Sequence, residues 1–129
     1  MKLLLDTHAL LWAVAEPEKL SQSATHALQD ARNEVWTSAV SLFEIATKVR
    51  LGKLPVPGPL LRQWEWTLSR LGARLLVLHG GHAVRAGALE VAHKDPFDRL
   101  LAAQALEDDL ELVSCDPAFL LFADLRVLW

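Results

Sequence analysis

Tyrosine is absent from this chain of 129 residues, cysteine occurs once, and no uninterrupted apolar run reaches membrane-spanning length. The lone Cys115 has no partner for an intramolecular disulfide, and no Cys/His spacing of a zinc site is present. Both absences point to a reducing cytoplasm, with Cys115 expected as a small buried side chain. Lys2 followed by leucines has the look of a signal peptide, but Asp6 interrupts the run after a few residues. A carboxylate at the centre of a membrane helix costs about 2.5–3.5 kcal/mol, so no membrane association is expected. Positive charge is in short supply: 13 Lys and Arg against 16 Asp and Glu leave a formal net charge of -3. That balance argues against holding nucleic acid by charge alone. It does not exclude a nuclease, because bound divalent cations reverse the field of grouped carboxylates. Without tyrosine, base stacking by that residue is unavailable. Low-complexity segments are missing as well, so the whole chain is expected to fold.

What is present is a 52% apolar composition, enough for one domain over residues 1–129 that buries roughly two-thirds of its unfolded surface. The apolar run Lys2–Leu5 stops at Asp6 and resumes with helical spacing through Trp12, which reads as a buried strand feeding a helix. Further strands are predicted at Val35–Ser38, Arg74–Leu78, Glu111–Ser114 and Leu125–Trp129. Helices are predicted from Ser21 to Arg32, Val40 to Leu51, Leu60 to Leu71, His82 to Ala92, and from Asp95-Pro96 through Leu106, with a short one after Asp116-Pro117. Strands alternating with helices specify an α/β domain with a central, mostly parallel sheet flanked by helices.

In such sheets, ligands bind beyond the carboxyl ends of the strands. Asp6, Asp98 and Asp116 each fall at or near a strand-to-helix junction. Each has a structural explanation when taken singly. Asp6, Thr7 and Asp116 are good helix caps, and Asp95 before Pro96 is fully explained as one. A first-turn acid such as Asp98 gains about 0.3–1 kcal/mol from the helix dipole. Glu44 lies past the first turn of its helix, where the alternative is an i,i+4 pair with Lys48. Together the four acids say more. If the three junctions share one sheet edge and Glu44 faces inward, the carboxylates converge and repel, which keeps some of them protonated. Hard, oxygen-seeking cations, Mg²⁺ or Mn²⁺, as one or two ions, relieve that repulsion. They also activate water and polarise a phosphate, so the chemistry implied is phosphodiester hydrolysis.

Four stretches carry a family resemblance: Leu5-Asp6-Thr7-His8-Ala9-Leu10-Leu11-Trp12, Ser41-Leu42-Phe43-Glu44-Ile45-Ala46-Thr47-Lys48, His93 through Ala105 with its Asp95-Pro96-Phe97-Asp98-Arg99 core, and Leu112-Val113-Ser114-Cys115-Asp116. In this order, and over essentially the whole chain, they resemble the successive motifs of PIN domains, in particular the VapC-type toxins of bacterial and archaeal toxin–antitoxin pairs. The resemblance implies a three-layer PIN-like fold, with Asp6, Glu44 and Asp98 as the core metal-binding and catalytic acids and Asp116 as the fourth. Thr7 and Ser38 would help orient water or an acid, and Asp95 and Arg99 stand as accessory positions. It further implies Mg²⁺- or Mn²⁺-dependent cleavage of an RNA substrate, a VapB-type antitoxin that inserts a segment over the site, and a homodimer. This chain departs from the pattern at Ser114 and Cys115, where many relatives carry Thr and a varied residue; the departure bears on the geometry of the fourth acid.

Other features carry less. His79 and His82 flank Gly80-Gly81 and read as a turn with two surface imidazoles, since a zinc site needs further ligands. Trp66 lies off the apolar stripe that includes Trp64 and is expected under a neighbouring helix rather than at an interface. Lys48, Arg50, Lys53, Lys94 and Arg99 either line a path for RNA phosphates or are plain solvated surface. No G-x-S-x-G elbow, Walker loop or H-E-x-x-H segment occurs. A haloacid-dehalogenase-like phosphatase would need a second Asp where His8 stands. The rival of another class is a catalytically silent PIN-like module that binds RNA or a protein.

Overall fold

A computed structural model describes all 129 residues. Its sheet is built on β1 (Lys2–Leu5), whose Leu3, Leu4 and Leu5 are all fully buried. A strand covered on both faces needs this continuous apolar run rather than an alternating one. The other strands are β2 (Glu34–Ser38), β3 (Ala73–Leu76), β4 (Glu111–Val113) and β5 (Val127–Leu128). They lie in the order β3-β2-β1-β4-β5, and every neighbouring pair is parallel. Leu5 sits opposite both Thr37 and Val113, so the central strands end at one edge.

Successive side chains of a strand point to opposite faces, and β1 shows the division. Leu3 and Leu5 join a core with Ala9 and Leu10 of α1 (Thr7–Ala15), Ala24 of α2 (Gln22–Gln29), Ile45 of α3 (Ala39–Arg50) and Leu68 of α4 (Trp64–Leu71). Leu4 joins a second core with Leu112, Phe119, Phe122 and, from α6 (Pro96–Glu107), Leu101, Ala102 and Ala105. The remaining helix, α5 (Gly80–Ala88), packs beside α6. Helices on two faces of one parallel sheet give three layers.

Several boundaries differ from the sequence reading, each for a local reason. β3 stops at Leu76, and Val77 and Leu78 are exposed beyond it. α2 ends at Gln29 because the Asp30 carboxylate accepts from the Arg32 backbone N–H at 3.0 Å and pairs with its guanidinium. Leu60 is buried but precedes α4; around Pro57, Gly58 and Pro59 the chain makes separate turns instead. α5 starts at Gly80, capped by His79, and ends at Ala88 because Leu89 is extended. The segment Pro17–Lys19 and the one after Asp116, Pro117–Leu121, are 3-10 helices. Trp66 is 55% exposed, with the Arg70 guanidinium 5.5 Å from its ring and no helix over it. Cys115 is exposed, not buried. No helix is long and apolar enough to cross a membrane.

Ser38 ties the two helical layers together. Its fully buried hydroxyl accepts from Val40 N at 3.0 Å, capping α3, and donates to Gln104 Oε1 of α6 at 2.5 Å. Gln104 Nε2 in turn donates to Val77 O at 3.3 Å. Ser38→Ala removes a cap and leaves a buried amide oxygen unpaired, a predicted loss of about 1–3 kcal/mol. Urea unfolding should show a lower midpoint with an unchanged slope; an unaltered midpoint would refute this role.

Candidate active site

Asp6 follows directly on β1 and caps α1, so one residue both ends the strand and starts the helix. Its Oδ1 accepts from Ala9 N at 2.7 Å and its Oδ2 from the Ser114 hydroxyl at 2.5 Å. Ser114, itself buried, lies just past β4 and also accepts from Asp116 N at 3.0 Å. Thus Asp6 and Asp116 are held by a single hydroxyl on the neighbouring strand.

Glu44 is 6% exposed, on the inward face of α3. Thr7 Oγ1 donates to its Oε1 at 2.8 Å and lies 3.1 Å from Ser41 Oγ. A threonine hydroxyl has one proton, so with that proton on Glu44 the Ser41 hydroxyl must donate to Thr7. Lys48, one turn on, donates to Glu44 Oε2 at 2.5 Å.

Asp95 caps α6 through Oδ1, which accepts from Phe97 N at 2.9 Å and Asp98 N at 3.2 Å. That turn presents Asp98, whose Oδ2 lies 2.7 Å from His93 Nε2. His93 is fixed by its ring edge against Phe122 and by Arg99. The Arg99 guanidinium donates to the carbonyls of Ala86, Val91, His93, Gly87 and Leu89. Its five N–H donors are thereby used up. Arg99 is therefore not a phosphate contact; it clamps the segment that carries His93.

Asp116 caps the following 3-10 helix, with Oδ1 accepting from Ala118 N at 2.9 Å. Neither its Oδ2 nor Asp98 Oδ1 takes a hydrogen bond from the protein.

The electrostatics join these groups. Burial pushes the Asp6 carboxyl above its ordinary range against the pull of Ser114 and Ala9, and the Asp98 charge adds to the rise. Asp98 is likewise raised by burial; His93 opposes this, while the charges of Asp95 and Asp116 reinforce it. Partial desolvation and the charges of Asp6 and Asp116 also raise the Cys115 thiol, which keeps it protonated and unsuited to nucleophilic work. Asp6, Asp98 and Asp116 thus share one field, and Glu44 is linked to them through Thr7. The four do not close tightly, since no three of them bring carboxylate oxygens within 4.8 Å of one another. Oxygen-only donors, two of them without protein partners, suit a hard divalent cation.

A different trio is closer. His79, His82 and Asp108 place ligand-type atoms within 4.8 Å of one another. They are not a turn with two surface imidazoles: His82 is 1% exposed, its ring stacks on His79 at 3.5 Å, and its Nε2 lies 2.9 Å from Asp108 Oδ2. Both Nδ1 atoms, however, accept backbone N–H groups, from Gly81 and from His79 itself. A neutral imidazole bound to a cation through Nε2 carries its proton on Nδ1, where it would face those donors. The trio is the cap of α5, fastened to the end of α6.

Sequence reasoning missed Ser41, His93 and the holding role of Ser114. His93 did carry a signal, a histidine five residues before an acid in a loop entering a helix; a serine at a strand end carries none.

The PIN domain family model matches residues 3–125. Ribonuclease VapC22 of Mycobacterium tuberculosis (strain ATCC 25618 / H37Rv) is 33% identical over 116 residues, which is 88% of this chain and 85% of that protein. The fold is similar to that in the crystal structure of VapBC2 from Rickettsia felis bound to a DNA fragment from their promoter, with a TM-score of 0.73 and 18% identity over 99% of this chain and 98% of the other. It is similar also to that in DNA-bound VapBC from Salmonella typhimurium, with a TM-score of 0.72 and 18% identity over 99% and 97% of the two chains.

The raised carboxyls make stability depend on pH. Asp6 and Asp98 keep their protons to higher pH in the fold than in the unfolded chain. From the unfolded value of about 3.9 up to those raised values, the folded state binds more protons, and stability falls as pH rises. Asp98→Asn removes its part of that penalty. In chelator, the variant should melt above the wild type at pH 7, and the gap should close below about pH 4. Equal melting temperatures at both pH values would contradict the raised Asp98 carboxyl.

Proposed function

The chain belongs to the PIN domain family, and on that premise we propose that it is an endoribonuclease, the toxin of a VapBC-type pair, dependent on Mg²⁺ or Mn²⁺. One observation carries the reading: at the carboxyl edge of a parallel sheet, burial and neighbouring acids raise the Asp6 and Asp98 carboxyls, and oxygen donors remain to spare. The name of the relative from Mycobacterium tuberculosis supports the choice of RNA as substrate. Asp6, Glu44, Asp98 and Asp116 would hold one or two ions. Such ions supply an acidified water and charge stabilisation for an in-line attack on a phosphodiester.

The remaining residues position the acids. Ser114 fixes Asp6, Thr7 and Ser41 fix Glu44, and His93 fixes Asp98. Lys48 neutralises Glu44, so an ion bound there would compete with an ammonium group. For the partner we propose a VapB-type antitoxin, a reading favoured by the VapBC complexes whose fold is similar. Its inserted segment has an apolar seat beside the acids. Phe43 and Phe97, each adjacent in sequence to a site acid, stand 5.9 Å apart and line an all-apolar cleft of about 290 Å³ with Leu78 and Leu100. Val84 and Leu120, 73% and 72% exposed, offer apolar surface for a homodimer. The cytoplasm is the compartment in which such a pair would act.

Purified protein should cut single-stranded RNA in Mg²⁺ or Mn²⁺ and lose all cleavage in chelator. Asp98→Asn should lower the cleavage rate by about 100-fold or more while antitoxin binding persists. Ser114→Ala, which frees Asp6, should cost about 10–100-fold in activity or metal affinity. Cleavage that survives both chelator and Asp98→Asn would rule out the metal-centred reading. A protein that binds RNA without ever cutting it would be the silent module instead.

A further inference from the structure

We infer that His8, Trp12 and Trp129 form a base-stacking subsite that holds the single-stranded RNA beside the bond to be cut, an inference that rests on the ribonuclease reading. His8 is exposed on the first turn of α1, two residues after Asp6, and Trp12 is its i+4 neighbour on the same face. Trp129 follows β5, which pairs in parallel with β4; Leu128 O accepts from Ser114 N at 3.2 Å. Trp129 therefore leaves the sheet at the same edge as Ser114, whose hydroxyl holds Asp6. The row runs beside the acids.

The three rings form a continuous series. The centroids of His8 and Trp12 are 5.8 Å apart at a tilt of 44°, and those of Trp12 and Trp129 are 5.7 Å apart at 54°. Both steps exceed the roughly 3.4 Å per nucleotide of a stacked strand. They suit unstacked bases splayed onto side-chain rings, the usual mode of single-stranded RNA recognition. Trp129 is 37% exposed. His8 and Trp12 also border a cleft of about 350 Å³ closed on the far side by Leu54, Pro55 and Pro57.

Charge leaves a task for these rings. Of the 13 Lys and Arg, six sit in ion pairs with acids, and Arg99 is spent on backbone carbonyls. That leaves six outside such roles, and a net charge of -3 limits what phosphate neutralisation alone contributes. Aromatic faces bind any base without charge. A protein segment fits the Phe43–Phe97 cleft better, because that lining is wholly apolar, whereas this row carries imidazole and indole N–H edges able to meet a base.

The test uses Asp98→Asn protein in Mg²⁺, so that RNA is bound and not cut. A labelled mixed-sequence single-stranded RNA is compared with an abasic ribose-phosphate strand of equal length. With the rings intact, the RNA should bind about tenfold or more tighter than the abasic strand. Trp12→Ala and Trp129→Ala should each weaken RNA binding by about tenfold and leave abasic binding unchanged, and Trp12→Phe and Trp129→Phe should restore most of the loss. His8→Ala, at an exposed position, should act in the same direction. In otherwise wild-type protein Trp12→Ala and Trp129→Ala should raise KM and leave kcat unchanged. The inference is overturned if folded variants bind RNA as before, if they lose RNA and abasic strand equally, or if they lose the antitoxin and keep RNA. A wild-type protein that cuts no RNA in Mg²⁺ or Mn²⁺ would sink the ribonuclease reading alone, because base-dependent binding is read without cleavage.

Discussion

Like charges at one sheet edge are the constraint on which this molecule turns. Five parallel strands end on the same side, and the chain places acids directly after β1, three residues past β4 and at the start of α6. Helix N-termini make the arrangement tolerable. Asp6, Asp95 and Asp116 each accept backbone N–H groups, and the positive end of a helix dipole favours negative charge. Capping and site-building are thus not rival explanations for these residues. The cap fixes the carboxylate where a cation can reach it.

Asp6 and Glu44 are also held by partners from elsewhere in the chain, and Asp98 by a nearer one. Ser114 reaches Asp6 across 108 residues and Thr7 reaches Glu44 across 37, while His93, held by the Arg99 clamp, steadies Asp98. Burial raises Asp6 and Asp98 against the hydrogen bonds of Ser114 and His93, and a divalent ion bound there would favour their charged forms. Stability has been given up at the edge where chemistry is proposed to occur, and the two leucine-rich cores and the Ser38–Gln104 bridge support it from below.

Much of this was legible in the residues themselves. Leu3-Leu4-Leu5 ending at Asp6 announced a buried parallel strand, and Asp95-Pro96 announced a helix start, because both are local rules of burial and capping. The family motifs matched the chain from end to end. What stayed hidden depends on contacts between distant segments. Nothing in the order of residues shows that Arg99 spends all five donors on backbone carbonyls between Ala86 and His93, so a path for phosphates and plain surface stayed equally open for it. His82 looked exposed beside Gly80-Gly81, yet Gly81 is what lets His79 fold over it: a Cβ there would meet His79 Cε1 at 3.0 Å. Cys115 lies among apolar and small residues in sequence but points out at the strand end. Helix ends shifted where a side chain captured the backbone, as Asp30 does beyond α2.

The most direct test of the central claim is anomalous diffraction from crystals grown in Mn²⁺. The account predicts a manganese peak within coordination distance of Asp6 and Asp98 oxygens, with Glu44 or Asp116 completing the protein's share. A peak at His79, His82 and Asp108 instead, or no peak at the sheet edge at saturating Mn²⁺, would contradict it.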